Sequence, residues 1–155
     1  MQTDTYTETI IPNYSEKWKK EENAYTGNDL IDAYLQGKKA GQDEVFTILS
    51  KTFGENMERA MSMSERLYID AEAKNIKFKN IHLRADGLTK FSALFVAKKD
   101  DFISDSFRDI FISARKIKND EKAADFYISF SFMPDTENLN EDCLNTDGYF
   151  MKYER

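Results

Sequence analysis

Two oppositely charged stretches of this sequence carry the residues that could do chemistry. Between positions 135 and 147 there are five acids and no bases, namely Asp135, Glu137, Glu141, Asp142 and Asp147. Between positions 74 and 99, seven lysines and arginines oppose the single acid Asp86, so this stretch has a local charge of +6 in a chain of net charge -6. Such asymmetry is typical of proteins that use charge to steer and orient a partner.

The acidic stretch predicts a binding surface better than it predicts a metal site. A calcium loop needs oxygen ligands at alternating positions, a glycine at its tight turn and a final glutamate. The segment Asp135–Asn140 matches only the first positions of that pattern. A metal-dependent nuclease pattern is also incomplete, because Phe150 stands where an acid should precede Lys152 by two positions. We therefore predict no metal, and we expect a protein partner to contact Asp135, Glu137, Glu141 and Asp142; a solvated loop is the alternative.

The basic stretch offers a second kind of surface. Strands that carry cations and aromatic rings can hold single-stranded nucleic acid, and the candidate contacts are Lys77, Lys79, His82, Arg84 and Lys90. His82 and Arg84 share one side of a predicted strand, with Lys90 across the turn. These three could instead bind a phosphate, or cleave RNA with His82 as general base. A half-exposed histidine without a function is the commoner alternative, and lysines at a sheet edge also prevent aggregation.

Other catalytic and cofactor motifs are missing from the sequence. It contains neither of the glycine-rich phosphate-binding patterns, Gly-x-x-x-x-Gly-Lys and Gly-x-Gly-x-x-Gly. The only cysteine, Cys143, and the only histidine, His82, lie far apart in sequence and cannot supply the usual ligand set of zinc. We therefore predict no cofactor and no catalytic residue, and a non-enzymatic role is favoured.

Composition indicates a folded domain rather than a disordered or membrane-spanning chain. The 155 residues are 41% hydrophobic and 14% aromatic, which is enough for a core despite a charged fraction of 32%. No run approaches the ~20 apolar residues that a membrane helix needs, and the first residues lack the basic and apolar regions of a signal peptide. We expect a soluble, cytoplasmic, single-domain protein without a membrane partner.

A helix followed by a strand gives the clearest periodicity in the chain. Apolar residues recur at helical spacing along one stripe, comprising Ile103, Phe107, Ile110, Phe111, Ala114 and Ile117. After a charged link, every second residue is apolar at Phe126, Ile128, Phe130 and Phe132, which predicts a strand with one apolar face. We expect the helix to pack on that face and Pro134 to end the strand.

The first half of the chain predicts an arm and a helical hairpin. Residues 1–26 have no sustained period, and we predict an N-terminal arm with a short helix from Ser15 to Glu22. Residues 28–74 predict two helices, with the first from about residue 29 to residue 53 and Gly54 as its C-terminal cap. A kink or break within the first helix, at Gly37 and Gly41, is nearly as well supported. The second helix buries one side, made of Met57, Ala60, Met61, Ser64, Leu67, Tyr68 and Ala71.

Residues 76–155 predict a β-β-α-β-β body. The strand Ile76–Arg84 changes parity near Lys79, which indicates a β-bulge. The turn Asp86-Gly87 leads into a central strand, Phe91–Ala97, and the last strand runs over Gly148–Glu154. We expect no helix between positions 135 and 147. The predicted fold class is α+β, with the N-terminal helical hairpin followed by a mostly antiparallel four-stranded sheet and its helix.

These patterns favour a regulatory or accessory protein that binds a macromolecular partner through acidic and aromatic surfaces. Inhibition of a nucleic-acid enzyme is one form of this function, because the acids could approach a basic nucleic-acid groove. Direct RNA or DNA binding through residues 74–99 is the main alternative. A metal-dependent nuclease or hydrolase that uses Asp135 is the least favoured.

Overall fold

The computed structural model describes residues 17–20 and 43–154, which form one mixed sheet and the helices around it. The strands are β1 (Trp18–Lys20), β2 (Phe78–Ala85), β3 (Lys90–Ala97), β4 (Tyr127–Pro134) and β5 (Tyr149–Tyr153). The helices are α1 (Asp43–Ala73), α2 (Lys99–Phe102), α3 (Arg108–Asp120) and α4 (Glu141–Thr146), with a 3₁₀ turn at Asp105–Phe107. Within this part of the chain, every helix is too short or too polar to pass through a lipid bilayer.

The described strands lie in the order β1-β5-β2-β3-β4, and all neighbours are antiparallel except β3 and β4. The α+β class is confirmed, but the sheet has five strands rather than four and is mixed, because β4 runs parallel to β3. Parallel neighbours need a long crossover connection, and the segment that contains α2 and α3 supplies it. A register shift between Phe78 and Asn80 confirms the predicted bulge in β2.

α1 is one continuous helix of 31 residues that passes through Gly54. The predicted helical hairpin, with a helix end at Gly54, is therefore wrong; residues 28–42 lie outside the described part of the chain. Phe53 and Met57 are both buried, so packing on either side of the glycine outweighs its cost of about 1 kcal/mol. α1 ends in a Schellman motif, where Asn75 has a φ of 63° and the Ile76 N–H donates to the Ala71 carbonyl at 2.9 Å.

The predicted apolar side of α1 is the side that packs on the sheet. All seven of its residues are buried: Met57, Ala60, Met61, Ser64, Leu67, Tyr68 and Ala71. Two polar contacts attach this helix to its neighbours, one from its middle and one from the residue after its C-terminus. The Asn56 amide donates to the Leu88 carbonyl at 3.0 Å, in the turn between β2 and β3, and the Lys74 ammonium donates to the Ser113 hydroxyl of α3 at 2.6 Å.

Trp18 lies in a strand, not in the helix predicted for Ser15 to Glu22. β1 pairs with β5, and the ring centroids of Trp18 and Tyr153 lie 5.2 Å apart. The Trp18 indole N–H donates to the Glu65 carboxylate of α1 at 2.7 Å. These tertiary contacts override the weak local preference of the segment. Residues 1–16 and 21–26 of the predicted arm lie outside the described part of the chain.

α3 packs over the apolar face of β4, as the alternating pattern predicts. On the helix side Phe107, Ile110, Ala114 and Ile117 are buried; on the strand side Phe126 and Ile128 are buried, and Phe130 and Phe132 are half-buried. Two members of the predicted stripe, Ile103 and Phe111, are exposed. Ile103 misses the core because the α-helix begins at Arg108, and α2 and the 3₁₀ turn precede it.

The acidic connector, residues 135–148, contains α4, although no helix is predicted there. Asn140 is its N-cap, and its side-chain oxygen accepts a hydrogen bond from the Asp142 N–H at 3.0 Å. Glu141 and Asp142 in the first turn suit the positive end of the helix dipole. The Lys152 ammonium of β5 donates to the Glu141 carboxylate at 3.1 Å, which attaches α4 to the sheet.

Gly148 begins the return into β5 with a φ of 96°, and a Cβ built there lies 3.3 Å from Cδ of Arg84. We predict that Gly148→Ala lowers the free energy of unfolding by about 1–2 kcal/mol, because an L side chain is strained at positive φ. Urea denaturation measures the change. Gly87→Ala is the control: its Cβ meets nothing within 4 Å, so a change beyond about 0.5 kcal/mol there, or none at Gly148, contradicts this account.

Candidate functional site

The four predicted acidic contact residues do not form one unpaired surface. The Asp135 carboxylate pairs with Lys79 at 3.5 Å, and the Glu141 carboxylate pairs with Lys152 at 3.1 Å. Glu137 and Asp142 are exposed, and no described residue forms an ion pair with either. Two of the four acids are therefore neutralised by lysines of the sheet, and two remain open to a partner.

Ion pairs also divide the predicted basic surface. Besides the Lys79–Asp135 pair, Nε of Arg84 lies 2.7 Å from the Asp86 carboxylate, and the Arg84 guanidinium stands 5.0 Å above the Tyr149 ring. Burial raises the pKa of Tyr149. Arg84 lowers this pKa to a smaller extent, and Asp86 and Asp147 raise it. Lys77, Lys79 and Lys90 are exposed, and of these only Lys79 forms an ion pair with a described residue.

His82 lies inside the protein rather than on this surface. Its exposed fraction is 0%, and it alternates along β2 with Ile81 and Leu83, which belong to the core between the sheet and the helices. Its ring contacts Tyr149 with centroids 6.4 Å apart. The predicted trio of His82, Arg84 and Lys90 therefore does not present a joint phosphate site, since the histidine has no access to a phosphate.

Asn80 and His82 form a buried polar pair, two residues apart on β2. Both are completely buried, and neither the carboxamide atoms nor the ring nitrogens have a hydrogen-bond partner in the described part of the chain. Such groups are paired in most proteins, because leaving one unsatisfied costs about 1–3 kcal/mol. Burial lowers the pKa of His82 to about 4, against a smaller opposing effect of Glu141 and a further lowering by Lys152. At pH 7 the pair is therefore uncharged.

The described residues do not assemble a metal centre or a cysteine nucleophile. No three histidine, cysteine, aspartate or glutamate side chains within residues 17–20 and 43–154 come together as a ligand group. Cys143 is exposed on α4, whereas His82 is buried in β2. The predicted alternative of a nuclease centred on Asp135 has Lys79 as the neighbour of its carboxylate.

β4 forms one edge of the sheet in the described part of the chain, and β1 forms the other. β4 is the last strand in the sheet order, and no strand of the described residues pairs with its outer side. It is eight residues long and contains no charged residue. Natural edge strands are usually protected by charges, bulges or short length, and an unprotected edge is a pairing site.

Hydrogen bonds at its two ends show which groups of β4 point outward. The Tyr127 N–H donates to the Thr89 carbonyl at 2.8 Å, and the Asp135 N–H donates to the Ala97 carbonyl at 2.6 Å. The parallel register is unbroken between these points, so odd-numbered residues bond to β3. The even-numbered residues Ile128, Phe130 and Phe132 therefore direct their N–H and C=O groups to the open side.

One end of this edge is aromatic. Phe111 of α3 contacts Phe132 of β4 and Phe107, with ring centroids 5.1 Å and 5.6 Å away, yet Phe111 is 53% exposed. Beside these rings is an open depression of about 670 Å³. Its lining residues are Phe102, Ser104, Asp105, Phe107, Arg108 and Phe111. An apolar side chain placed here would cover rings that solvent now reaches.

The other end of the edge is cationic. The Lys118 ammonium lies 4.8 Å from the Tyr127 ring centroid, and the Arg59 guanidinium lies 5.3 Å from that of Phe126. Lys118 and Lys122 line a smaller pocket of about 140 Å³ that opens beside both rings. We call the whole surface the α3–β4 groove: the outer edge of β4 with the aromatic end at Phe111 and Phe132 and the cationic end at Arg59, Lys118 and Lys122.

Sequence periodicity alone does not reveal the α3–β4 groove. Phe111 fits the buried stripe of its helix, and the edge position of β4 is a property of the tertiary fold. Two signals were present in the sequence: the strand Tyr127–Pro134 has no charged residue, and Ile112 falls outside the stripe, where it is 61% exposed. Neither signal identifies a groove without the strand order.

The depressed pKa of His82 gives a stability prediction with a defined sign. The unfolded histidine takes up a proton near pH 6.5, and the folded one only near pH 4, so stability from this group is full above pH 6.5 and falls as the pH is lowered towards 4. Between pH 7 and pH 5 the loss is about 2 kcal/mol. His82→Leu should remove that part of the pH dependence, as measured by urea denaturation at both pH values. Parallel pH profiles for the two proteins would contradict it.

The α3–β4 groove is thus where an open strand edge, exposed rings and cations meet. In the predicted acidic and basic sets, by contrast, several members are paired with opposite charges or buried. The chemistry of the groove is that of binding, since it offers main-chain hydrogen bonds, apolar contact and positive charge. Comparison of the sequence with protein-family models and curated proteins, and of the structure with solved structures, found no match.

Proposed function

We propose that this protein is a non-enzymatic accessory protein that binds an extended segment of a partner protein in the α3–β4 groove. The observation that carries the proposal is the open, uncharged edge of β4 beside the half-exposed ring of Phe111. An extended segment that adds to a sheet edge obtains affinity from main-chain hydrogen bonds and specificity from alternate side chains. Both kinds of contact are available here.

The backbone groups fix how the segment binds. Ile128, Phe130 and Phe132 each offer one N–H and one C=O, at spacings of two residues, which is the repeat of an incoming strand. Every second side chain of that strand then lies on the helix side, and the one opposite Phe132 is nearest to Phe111. A single strand of about eight residues makes a small interface, and we expect an affinity on the order of micromolar.

The acidic connector supports a second contact in the same function. Glu137 and Asp142 are its exposed acids, whereas Asp135 and Glu141 pair with lysines. A basic partner would meet the two exposed acids. Inhibition of a nucleic-acid enzyme remains one form of this proposal, since the grooves of such enzymes are basic. Direct nucleic-acid binding through residues 74–99 has less support, because Lys79 and Arg84 are ion-paired and His82 is buried.

The pattern of backbone hydrogen bonds can be tested without altering the protein. Peptides are selected from a displayed random twelve-residue library on the full-length chain, and the strongest binder is synthesised with N-methyl groups at alternate residues. We expect methylation in one parity to weaken binding at least tenfold, because those N–H groups face β4, and methylation in the other to change it less than threefold. Fluorescence anisotropy measures both. Equal effects in the two parities, or no selected peptide, would refute strand addition.

Side-chain variants separate the groove from the other surfaces. We predict that Phe111→Ser weakens binding of the selected peptide about tenfold, because it removes the exposed ring at the aromatic end. Ile112→Ser is the matched control, since Ile112 is equally exposed on the same helix but turned about 100° away. The double variant Glu137→Gln, Asp142→Asn reports on the acidic connector. Loss of binding in Ile112→Ser or in the acidic double variant, with binding by Phe111→Ser unchanged, would place the peptide outside the groove; thermal denaturation checks that each variant is folded.

A further inference from the structure

We infer that the partner segment recognised by the α3–β4 groove has an acidic side chain six positions from an aromatic one, both on the helix-facing side of the bound strand. The inference rests on the proposed function and names the chemistry of its partner. It follows from the different nature of the two ends of the groove. The predicted spacing of six positions depends on both ends, because it comes from the length of strand between them.

The cationic end is net positive because the two acids beside it are paired with an arginine of α1. The Arg66 guanidinium of α1 pairs with Asp120 at 3.0 Å and with Glu121 at 3.7 Å, at the C-terminal end of α3. Glu121 also lines the smaller pocket, but its carboxylate, like that of Asp120, is balanced by Arg66. Lys118 and Lys122 are left beside the β4 edge, and no described residue forms an ion pair with either.

Aromatic rings hold two of the cations at a defined place beside the strand. Lys118 and Arg59 stand above Tyr127 and Phe126, so their charged groups are held at the strand rather than extended into solvent. An acidic group added at this point would contact cations that are already positioned. Binding would therefore cost little further conformational entropy of the lysine and arginine side chains. In a chain of net charge -6, this local positive charge favours an acidic segment at this end of the groove.

The aromatic end provides the second contact for the bound segment, and its distance from the cationic end determines the spacing of the two side chains. Phe126, the residue before β4, and Phe132 in β4 are six positions apart in the alternating apolar pattern, which corresponds to roughly 20 Å at about 3.3 Å per residue. A bound strand has the same repeat, so residues that face the two ends are also six positions apart. The open depression beside Phe107 and Phe111 has room for a large apolar side chain.

A protein segment explains the surface better than a single-stranded nucleic acid does. Cations and rings occur in both kinds of site, but Ile128, Phe130 and Phe132 offer alternating N–H and C=O groups at the spacing of a peptide backbone. A nucleic acid also needs phosphate contacts along its length. Positive side chains are concentrated here at one end, and Asp105 accompanies Arg108 at the other.

Two probe peptides in both chain directions test the inference on the full-length protein. The probes are Glu-Thr-Val-Thr-Val-Thr-Phe, its reversed sequence, and the same pair with glutamine for glutamate, each acetylated and amidated. We expect the better glutamate probe to bind about three- to tenfold more tightly than its glutamine counterpart at 50 mM NaCl, and the ratio to shrink at 300 mM NaCl. Lysine in place of glutamate should weaken binding further.

A double-mutant cycle locates the contact. In the variant Lys118→Gln, Lys122→Gln, the glutamate and glutamine probes should bind equally, whereas Lys116→Gln should preserve their ratio. Lys116 is the matched control because it is exposed on α3 and lies about 200° around the helix from Lys118. Replacing phenylalanine with serine in the probe should weaken binding independently of these variants.

The outcomes separate the inference from the proposed function. If library-selected peptides bind with the expected N-methyl pattern but glutamate and glutamine probes bind alike, the charge assignment is overturned and strand addition stands. If neither selected peptides nor probes bind, both are overturned. If a twelve-nucleotide single-stranded DNA displaces the glutamate probe at lower concentration than unlabelled probe does, the groove is a nucleic-acid site and the inference is overturned.

Discussion

The parallel pairing of β4 with β3 decides where every feature of the α3–β4 groove lies. Parallel neighbours cannot be joined by a tight turn, so the chain must leave the end of β3, cross one face of the sheet and return to the start of β4. The crossover places α3 on the apolar face of the strand that follows it. It also leaves β4 as an edge, since the next strand, β5, pairs with β2 on the other side of the sheet. Helix, edge and groove follow from this one connection.

The packing that stabilises the crossover also explains why one side of it stays open. Phe95 is completely buried, and its ring centroid lies 5.4 Å from that of Phe132 and 5.7 Å from that of Phe130. The inner sides of the β4 phenylalanines are thus covered by β3 and α3. Their outer sides are only half-covered, because no further strand of the described residues follows β4. Phe111 completes the cluster on the helix side while half its surface remains in water.

The parts of this fold that could be predicted from sequence are those that periodicity determines. Three predicted features reflect which face of an element meets the core, and the structure contains all three. They are the alternation from Phe126 to Phe132, the parity change near Lys79 and the buried side of α1. Strand direction is different, because alternation is usual for an antiparallel strand with one covered face, and here it occurs in an edge strand that runs parallel to its neighbour. The same holds for Gly54, whose helix is continuous because tertiary packing outweighs a local preference.

The functional predictions were less complete for a related physical reason. Charge runs in a sequence do not show which acids and bases neutralise each other. In the fold, Lys79 and Asp135 meet across 56 residues of chain, and this contact removes one member from each predicted surface. The described residues also present the uncharged edge of β4, which no local pattern identifies. An edge of this kind is a liability in a protein that never uses it, since it can pair with other chains. Its length and its neighbouring cations support the proposed binding of an extended segment.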